Sequence, residues 1–343
     1  MKTVLITHTP TALDNYFGPR AVAALEAVAT VRRNPGNLPL DAAALIAAGR
    51  DCDVIIADRQ TEGAGEVFRS LPKLVAFARC AVDIRNIDVA AASQQGILVT
   101  RASAGFMASV SELIIGVMID LSRQISLANA AYHAGEAPPL RMGRELRGAT
   151  IGIIGYGRIG RYLAGLAAAF GMRVLVTDPN ATIEDPTVAA VSLRQLLAEA
   201  DHVVCLASAT AQTENLMNAA AFAAMKPTAL FINASRGNLV DEAALLEALD
   251  TGRIAGCGLD VGRAPDQMPS PMLARHPRVI ATPHIGGLTP PAIEHQALET
   301  VAQVAEILAG RVPAGAVNDA SARRLAGTAG STRATLTPPA APS

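Results

Sequence analysis

Short β-branched runs alternate with Ala- and Leu-rich stretches along nearly the whole chain, and this alternation limits the possible folds more than any other feature. The first predicted strands are residues 4–7, 54–57, 74–77 and 97–100, with helical stretches such as 20–28 and 40–48 between them. Continuous apolar strands separated by helices indicate a parallel sheet that is covered on both faces. The sequence therefore predicts an α/β fold.

A second, denser group of strands follows a predicted helix over residues 109–131. Its members are residues 151–154, 174–177, 203–206, 230–233, 256–260 and 279–282. Six strands in βα alternation make up a full dinucleotide-binding domain. A last helix is predicted over residues 292–308, after a Pro-Pro pair.

Composition narrows the class of protein. The 343 residues are 50% hydrophobic and 17% charged, with a net charge of -1, which is typical of a globular chain long enough for two domains. The near-zero charge offers no basic face to nucleic acid or to an anionic membrane. The four cysteines (Cys52, Cys80, Cys205 and Cys257) lack metal-ligand spacing, so we expect reduced thiols and no metal site. Because no secretory signal or membrane span is recognised, we expect a soluble cytoplasmic protein.

One glycine-rich loop has the context of a phosphate-binding loop. It reads Gly155, Tyr156, Gly157, Arg158, Ile159 and Gly160. A predicted strand runs directly into it, and a predicted helix leaves it. The first glycine would permit the tight turn, the second the close approach of a pyrophosphate, and the third the packing of helix on strand. The free N–H groups of the helix would then face the phosphates, and Arg158 would add a cation.

An acidic residue follows the next strand. Asp178 lies 18 residues after Gly160, where a carboxylate accepts hydrogen bonds from the adenosine ribose. A 2′-phosphate there would be repelled by about 4 kcal/mol at ~4 Å and an effective dielectric near 20. Pro179 and Asn180 follow, so no arginine compensates. The predicted cofactor is therefore NAD rather than NADP.

Three ordered motifs in the second half carry a family resemblance. They are the run from Met225-Lys226-Pro227 through Phe231-Ile232-Asn233-Ala234-Ser235-Arg236-Gly237 to Leu245, then Gly258-Leu259-Asp260-Val261, then Thr282-Pro283-His284-Ile285-Gly286-Gly287. Together with the phosphate loop, they closely resemble the signature of D-isomer-specific 2-hydroxyacid dehydrogenases. The resemblance extends over about residues 74–317.

This resemblance implies two doubly wound parallel-sheet domains, with a Rossmann NAD domain inserted into a flavodoxin-like substrate domain. The implied substrate domain comprises residues 1–99 and 288–318, and the implied NAD domain comprises residues 100–287. The active site of the family lies in the cleft between the domains. Family members are homodimers held by their NAD domains, with the region of the 109–131 helix contributing. The Ala-, Thr- and Pro-rich residues 319–343 are predicted to be a disordered tail.

The resemblance also implies roles for individual residues. Arg236 matches the arginine that binds the substrate carboxylate and carbonyl, and His284 matches the general acid/base. Both are also expected to reach the cofactor. Asp260 matches a residue at the nicotinamide carboxamide. Thr210, Ala234 and Gly287 match positions that line the cofactor.

The partner of the catalytic histidine is missing from its usual place. Most family members carry a Glu a few residues after Leu-Asp-Val, but Pro265 occupies that position here. Asp266 is one residue late and Gln267 two, and formate dehydrogenases use a Gln near this point. We therefore predict Asp266 as the third catalytic residue, while Gln267 or a histidine without a carboxylate partner remain alternatives.

The predicted substrate loop departs from the family as well. Ala81, Val82 and Asp83 stand where the family has a Gly-x-Gly segment whose N–H groups hold the substrate carboxylate. Arg101 stands where Asn is frequent. An Asp here would repel an anionic substrate unless Arg79, Arg85 or Arg101 compensates.

The predicted function is an NAD-dependent oxidoreductase that transfers hydride between the nicotinamide and a D-2-hydroxyacid or 2-keto acid. One alternative is a formate- or phosphite-like oxidation on the same scaffold. Another is a non-catalytic NAD-sensing binding protein, because the family includes transcriptional co-repressors that retain the fold. Turnover of NADH with a 2-keto acid would separate the enzyme from the sensor.

Overall fold

The computed structural model describes residues 2–326, and the chain divides into two units. Among the described residues, the first unit consists of residues 2–105 and 290–326, and the second consists of residues 106–289. The chain thus passes from the first unit to the second six residues after the predicted boundary, and it returns to the first unit two residues after the predicted one. The assignment of substrate and NAD roles to the two parts remains a prediction.

Parallel strands form the centre of the first unit. The strands are β1 (Thr3–Ile6), β2 (Thr30–Arg33), β3 (Val54–Ala57), β4 (Ala76–Arg79) and β5 (Leu98–Arg101). Their order in the sheet is β2-β1-β3-β4-β5, and every neighbouring pair is parallel. This is the flavodoxin-like order, in which the chain reverses direction across the sheet at β1.

Helices cover both faces of this sheet. They are α1 (Pro10–Tyr16), α2 (Pro19–Glu26), α3 (Ala42–Gly49), α4 (Gly65–Ser70), α5 (Val89–Gln94), α13 (Pro290–Leu308) and α14 (Arg323–Ala326). Alternate residues of one strand enter opposite cores: Val4 and Ile6 pack in the core that contains Val301 and Val304 of α13, whereas Leu5 packs with Leu45 of α3.

The second unit is built on a larger sheet. Its strands are β6 (Thr150–Ile154), β7 (Arg173–Thr177), β8 (Val188–Ala190), β9 (His202–Cys205), β10 (Leu230–Asn233), β11 (Gly256–Leu259) and β12 (Val279–Ala281). The order β12-β11-β10-β9-β6-β7-β8 is parallel throughout. The chain reverses direction between β6 and β9, as in a Rossmann domain. The predicted fold class is confirmed.

The helices of the second unit are α6 (Met107–Arg123), α7 (Ile125–His133), α8 (Arg158–Ala169), α9 (Leu193–Glu199), α10 (Ala219–Ala224), α11 (Glu242–Asp250) and α12 (Pro271–Ala274). Short 3-10 turns occupy Gly237–Leu239 and Pro265–Gln267, and a third, Asp319–Ser321, belongs to the first unit. Two cores flank the sheet: Ile151 and Ile153 face one of them, and Ile154 faces the other.

One predicted helix differs from the structure. The single helix over 109–131 is in fact α6 and α7, which are broken at the left-handed Gln124 (φ 57°) and bent by 69°. No single described helix is long and apolar enough to cross a membrane. Taken together, the two helices of this bent pair have the length and the hydropathy of a membrane span.

The tail predicted as disordered over residues 319–343 begins with structure. Arg324 donates to the carbonyls of Leu71 and Leu74 at 2.7 and 2.8 Å, and Leu325 is buried. These contacts tie residues 319–326 to the first unit, which composition alone does not reveal. Residues 327–343 of the predicted tail lie outside the described residues.

Candidate active site

The phosphate loop joins β6 to α8 and has the geometry that its glycines require. Gly155 has a φ of 102°, and a Cβ at Gly160 would lie 2.3 Å from the Gly155 carbonyl oxygen. A Cβ at Gly157 would meet no atom within 4 Å, although no glycine-specific φ holds that residue. Gly155 and Gly160 are therefore needed by the protein itself. Gly157 is the position that leaves room for a ligand, which is the fit expected for a bound pyrophosphate.

The groups around the loop match a dinucleotide. The first N–H groups of α8, at Arg158 and Ile159, have no partners within the helix and are available to phosphate oxygens. Asp178 follows β7, and its Oδ2 accepts a 2.7 Å hydrogen bond from the Tyr156 N–H. Each carboxylate oxygen can accept a second bond, so Asp178 remains able to hold ribose hydroxyls. Tyr156 itself is buried, and Arg161 lies over its ring at 5.2 Å.

Three further polar loops leave the same edge of the sheet, because β10, β11 and β12 are parallel neighbours. Arg236 follows β10, Asp260 follows β11 and His284 follows β12. Thr210 lies on the exposed loop after β9, and Ala234 directly follows β10. The carboxyl edge of such a sheet is where open α/β proteins bind ligands. The structure thus brings these predicted site residues of the second unit to one edge.

The turn that carries Arg236 is held by Asn233. The Asn233 side chain donates to the Arg236 carbonyl at 3.0 Å and accepts from the Ser235 N–H at 3.1 Å. Ser235 also donates to the Ala207 carbonyl at 2.7 Å. The guanidinium of Arg236 is half-buried and donates to the Ser235 carbonyl at 2.7 Å. The hydrogen bonds of Asn233 and Ser235 therefore fix the main chain at Arg236.

Asp260 clamps the loop that carries His284. Its buried carboxylate accepts hydrogen bonds from the Thr282 hydroxyl (2.7 Å), the Ile285 N–H (2.8 Å) and the Gly286 N–H (2.8 Å). Removing one partner of a buried hydrogen-bonded charge is costly, so this loop has one favoured conformation. The resemblance gave Asp260 a role at the cofactor. That role stays a prediction, whereas the structure shows the clamping role directly.

His284 contacts the main chain of the irregular segment after β11. Its Nδ1 lies 2.9 Å from the carbonyl oxygen of Asp266. The side chain of Asp266 is exposed, while the Gln267 Oε1 is buried and makes no hydrogen bond. Gly287, beyond the histidine, approaches Phe106, since a Cβ there would lie 3.3 Å from that side chain. The structure therefore shows a carbonyl at Nδ1, where a carboxylate or amide side chain was expected.

The predicted substrate loop lies in the first unit, after β4. Ala81, Val82 and Asp83 are all half-buried there. The Asp83 carboxylate receives both Nε (3.0 Å) and Nη2 (2.6 Å) of Arg85. Arg85 therefore offsets the acidic charge that the sequence places in this loop. Arg101, at the end of β5, has an exposed side chain.

Arg79 does not serve this loop. Its side chain is fully buried and donates to the carbonyls of Asp58 and Thr61 and to the Asn86 side chain. Burial lowers the pKa of Arg79 to about 10, which leaves it charged at neutral pH. Since both of its terminal nitrogens donate to these residues and the side chain is buried, Arg79 stabilises the loops at this edge instead of binding a substrate.

Comparisons with known proteins agree with this geometry. Residues 115–286 match the model of the family described as "D-isomer specific 2-hydroxyacid dehydrogenase, NAD binding domain". D-3-phosphoglycerate dehydrogenase of Synechocystis sp. is 34% identical over 270 residues, which are 78% of this chain and 49% of that protein. The chain thus spans about half the length of the curated relatives it matches.

Two solved structures have the same architecture. The TT0316 protein of Thermus thermophilus has a TM-score of 0.83 and 31% identity, over 92% of this chain and 99% of that one. D-2-hydroxyisocaproate dehydrogenase has a TM-score of 0.82 and 25% identity, over 93% of this chain and all of that one (100%). Both fits extend over nearly the whole of the compared chains.

Proposed function

We propose that this chain, which belongs to the D-isomer-specific 2-hydroxyacid dehydrogenase family, interconverts a D-2-hydroxyacid and its 2-keto acid with NAD(H) as the cofactor. The observation that carries the proposal is the placement of an arginine and a histidine on the loops after β10 and β12, at the sheet edge that also bears the phosphate loop. An arginine is suited to a keto acid because its planar fork of donors can hold a carboxylate and a carbonyl oxygen together.

The protein residues divide the work between binding and proton transfer. Arg236 would bind the substrate anion and polarise its carbonyl, which lowers the cost of charge on that oxygen. His284 would give a proton to the oxygen during reduction, or remove it during oxidation, through the nitrogen that does not face Asp266. The phosphate loop would hold the pyrophosphate of NAD(H) and Asp178 its adenosine ribose, and the bound cofactor would supply or accept the hydride. Asp260 keeps the His284 loop in place.

The substrate is a small anionic acid in this proposal. The pairing of Arg85 with Asp83 supports it, since the loop after β4 then carries no unopposed acidic charge toward an anion. The curated relatives act on 3-phosphoglycerate by name, and a phosphorylated acid belongs among the candidates.

A substrate panel tests the proposal. NADH oxidation is followed with glyoxylate, pyruvate, hydroxypyruvate, its 3-phosphate and an aromatic keto acid, and NAD reduction is followed with formate and phosphite. We expect turnover with at least one keto acid and a loss of about a hundredfold or more in kcat/KM for Arg236→Ala, because the variant loses two charged hydrogen bonds, to the carboxylate and the carbonyl, of about 1.5–3 kcal/mol each. Full activity of Arg236→Ala would refute the site assignment. NADH binding without any turnover would instead support an NAD sensor.

We also propose a homodimer that forms through α7 and the segment after it. None of the α7 residues is buried, although Ile125, Leu127 and Tyr132 are large and apolar. Leu140 and Met142 are almost fully exposed nearby in the sequence. Such apolar exposure is typical of a surface covered by a partner. Light scattering should give twice the chain mass, and Leu127→Asp with Tyr132→Asp should shift it toward the monomer.

The proposed compartment is the cytoplasm, since the four cysteines are all free and buried. Burial raises the pKa of the Cys80 and Cys205 thiols to about 12, which keeps them unreactive. Fractionation of the source cells, with immunodetection, checks the location. Recovery from a secreted or membrane fraction would contradict it.

A further inference from the structure

The ring of His284 is oriented by a main-chain atom. A carbonyl oxygen can only accept a hydrogen bond, so the 2.9 Å contact between Nδ1 and the Asp266 carbonyl requires the proton of the neutral ring to be on Nδ1. The other nitrogen, Nε2, then carries the lone pair. Under the proposed function this is the nitrogen that must take the hydroxyl proton, so the carbonyl selects the competent tautomer.

Unusual backbone conformations meet at this contact. Five residues other than glycine have a positive φ in the described part of the chain, and three of them are Asp266 (57°), Gln267 (58°) and His284 (56°). A left-handed residue other than glycine costs about 1 kcal/mol or more, and such strain persists where the surroundings enforce it. Both sides of the contact are thus held in conformations that the chain would not adopt alone.

The segment that presents the carbonyl is closed on itself. The Gly262 N–H donates to the Gln267 carbonyl at 2.8 Å, and the Ala264 N–H donates to the Met268 carbonyl at 3.0 Å. A Cβ at Gly262 would lie 2.6 Å from the Pro269 Cα, so only glycine fits at the start of the loop. These bonds fold residues 262–268 into a compact loop with the Asp266 carbonyl on one side.

Arg263 anchors this loop to the rest of the unit. Its guanidinium donates to Glu214 (2.8 Å), Asn215 (2.6 Å) and the Val240 carbonyl (3.2 Å), and its own N–H donates to Glu242 (3.1 Å). The Arg263 side chain therefore stabilises the position of this loop. With Asp260 clamping the backbone of the His284 loop from the other direction, both partners of the contact are immobilised.

We propose that Asp266 is a positioning residue that acts through its main-chain carbonyl, and that this carbonyl takes the place of a carboxylate in orienting His284. The inference rests on the proposed function for its catalytic meaning, but its structural content is a tautomer that can be measured without turnover. The Asp266 side chain matters in this proposal because it must tolerate a left-handed backbone. Asp and Asn do so, whereas β-branched residues do not.

The test compares Asp266→Asn with Asp266→Val in the 343-residue chain. Nitrogen-15 NMR of labelled histidine, with His284 assigned by a His284→Asn variant, reports which ring nitrogen carries the proton. We expect an Nδ1–H tautomer in the wild type and in Asp266→Asn, and loss of that tautomer in Asp266→Val. We also expect kcat of Asp266→Val to be about tenfold or more below that of Asp266→Asn, with similar KM, because only the proton transfer is disturbed.

Gln124→Val is the matched control, since it places the same β-branched side chain on a left-handed residue (φ 57°) at the junction of α6 and α7. It should lower the melting temperature comparably and leave the His284 tautomer unchanged. An Nε2–H tautomer in the wild type would overturn the proposal, and so would equal kcat losses in Asp266→Asn and Asp266→Val. If Asp266→Val does not fold, the tautomers of the wild type and Asp266→Asn still decide. Absence of any turnover would refute the proposed function and leave the tautomer result standing.

Discussion

The carboxyl edges of the two sheets differ in how their polar groups are used. At the edge of the first unit, two arginine side chains are already engaged within the protein: the buried Arg79 donates to two carbonyls and an amide, and Arg85 forks onto Asp83. At the edge of the second unit, His284 and Arg236 are half-buried and Gly157 faces open space. The same fold principle thus gives one edge that is largely self-satisfied and one that is prepared for a ligand. We expect chemistry to depend on the second edge and recognition to be tuned at the first.

The largest expected effect comes from His284. Replacing it by Asn should lower kcat about a thousandfold, because a positioned acid/base contributes about 10² to 10⁴. Stopped-flow or steady-state kinetics with the best keto acid measures this loss. His276→Asn is the control: its ring accepts from Arg278 and pairs with Asp250, away from the proposed chemistry. Equal losses in both variants would mean that the second edge has no special role.

A smaller effect should come from the open glycine. A methyl group at Gly157 would occupy the space left for the pyrophosphate, so Gly157→Ala should weaken NADH binding about tenfold, as overpacking costs about 1–3 kcal/mol. Gly165→Ala is matched, since a Cβ there also meets no protein atom within 4 Å. Fluorescence titration should show weaker binding in the first variant alone. Unchanged affinity in Gly157→Ala would remove the loop from the cofactor site.

At the first edge, removing the acidic and the basic member of the Asp83–Arg85 pair should change the KM for an anionic acid in opposite directions. Asp83→Asn should lower KM for an anionic acid by about threefold, because it leaves the Arg85 cation without this partner in a partly exposed position. Arg85→Gln should raise KM by a similar factor, since the Asp83 carboxylate then loses this cation. Initial-rate kinetics at low salt checks both. Shifts of the same sign in the two variants would contradict an electrostatic role for this loop.

A further expected effect concerns stability instead of activity, and it is shared by both units. Burial lowers the pKa of His8, in the first unit, and of His202, in the second, to about 4. Between pH 6.5 and 4 these histidines are protonated in the unfolded chain but remain neutral in the folded chain. The free energy of unfolding therefore falls as the pH drops through this range. Each histidine should contribute about 1 kcal/mol of lost stability at pH 5.5.

Urea unfolding at pH 7.5 and 5.5 measures this loss for each histidine. His8→Gln and His202→Gln should each flatten the pH dependence, whereas a change at the exposed His133 should not. A pH dependence unchanged in both buried variants would show that other groups dominate the acid sensitivity.

Much of the fold follows from sequence because its signals are local. Runs such as Ile151–Ile154 contain no polar side chain and end at a glycine, so their strand character is evident without tertiary information. The strand β2 (Thr30–Arg33) lies at the sheet edge and is largely exposed, so it carries no such apolar run. The break at Gln124 also has no local signal, since glutamine is an ordinary helix former.

In the candidate site, too, some features have a local sequence signal and others depend on the tertiary structure. Glycines that permit a turn or a close approach leave a pattern in the sequence, and so does an arginine next to a strand. The partner of His284 leaves none, because every residue has a carbonyl and only the backbone path determines which one reaches the ring. The clamp by Asp260 likewise depends on distances between the loops after β11 and β12.

The inserted arrangement of the units bears on how the chain folds as it leaves the ribosome. One core of the first unit needs Ala297, Val301, Val304 and Ile307 of α13, which are synthesised only after all of residues 106–289. The second unit has all its strands before that point, and domains fold as units in the order in which their parts emerge. We therefore expect the second unit to acquire its structure first, and the sheet of β1 to β5 to complete its core only after α13 has been synthesised. Nascent chains that stop before α13 should expose the apolar face of the first sheet and should depend on chaperones.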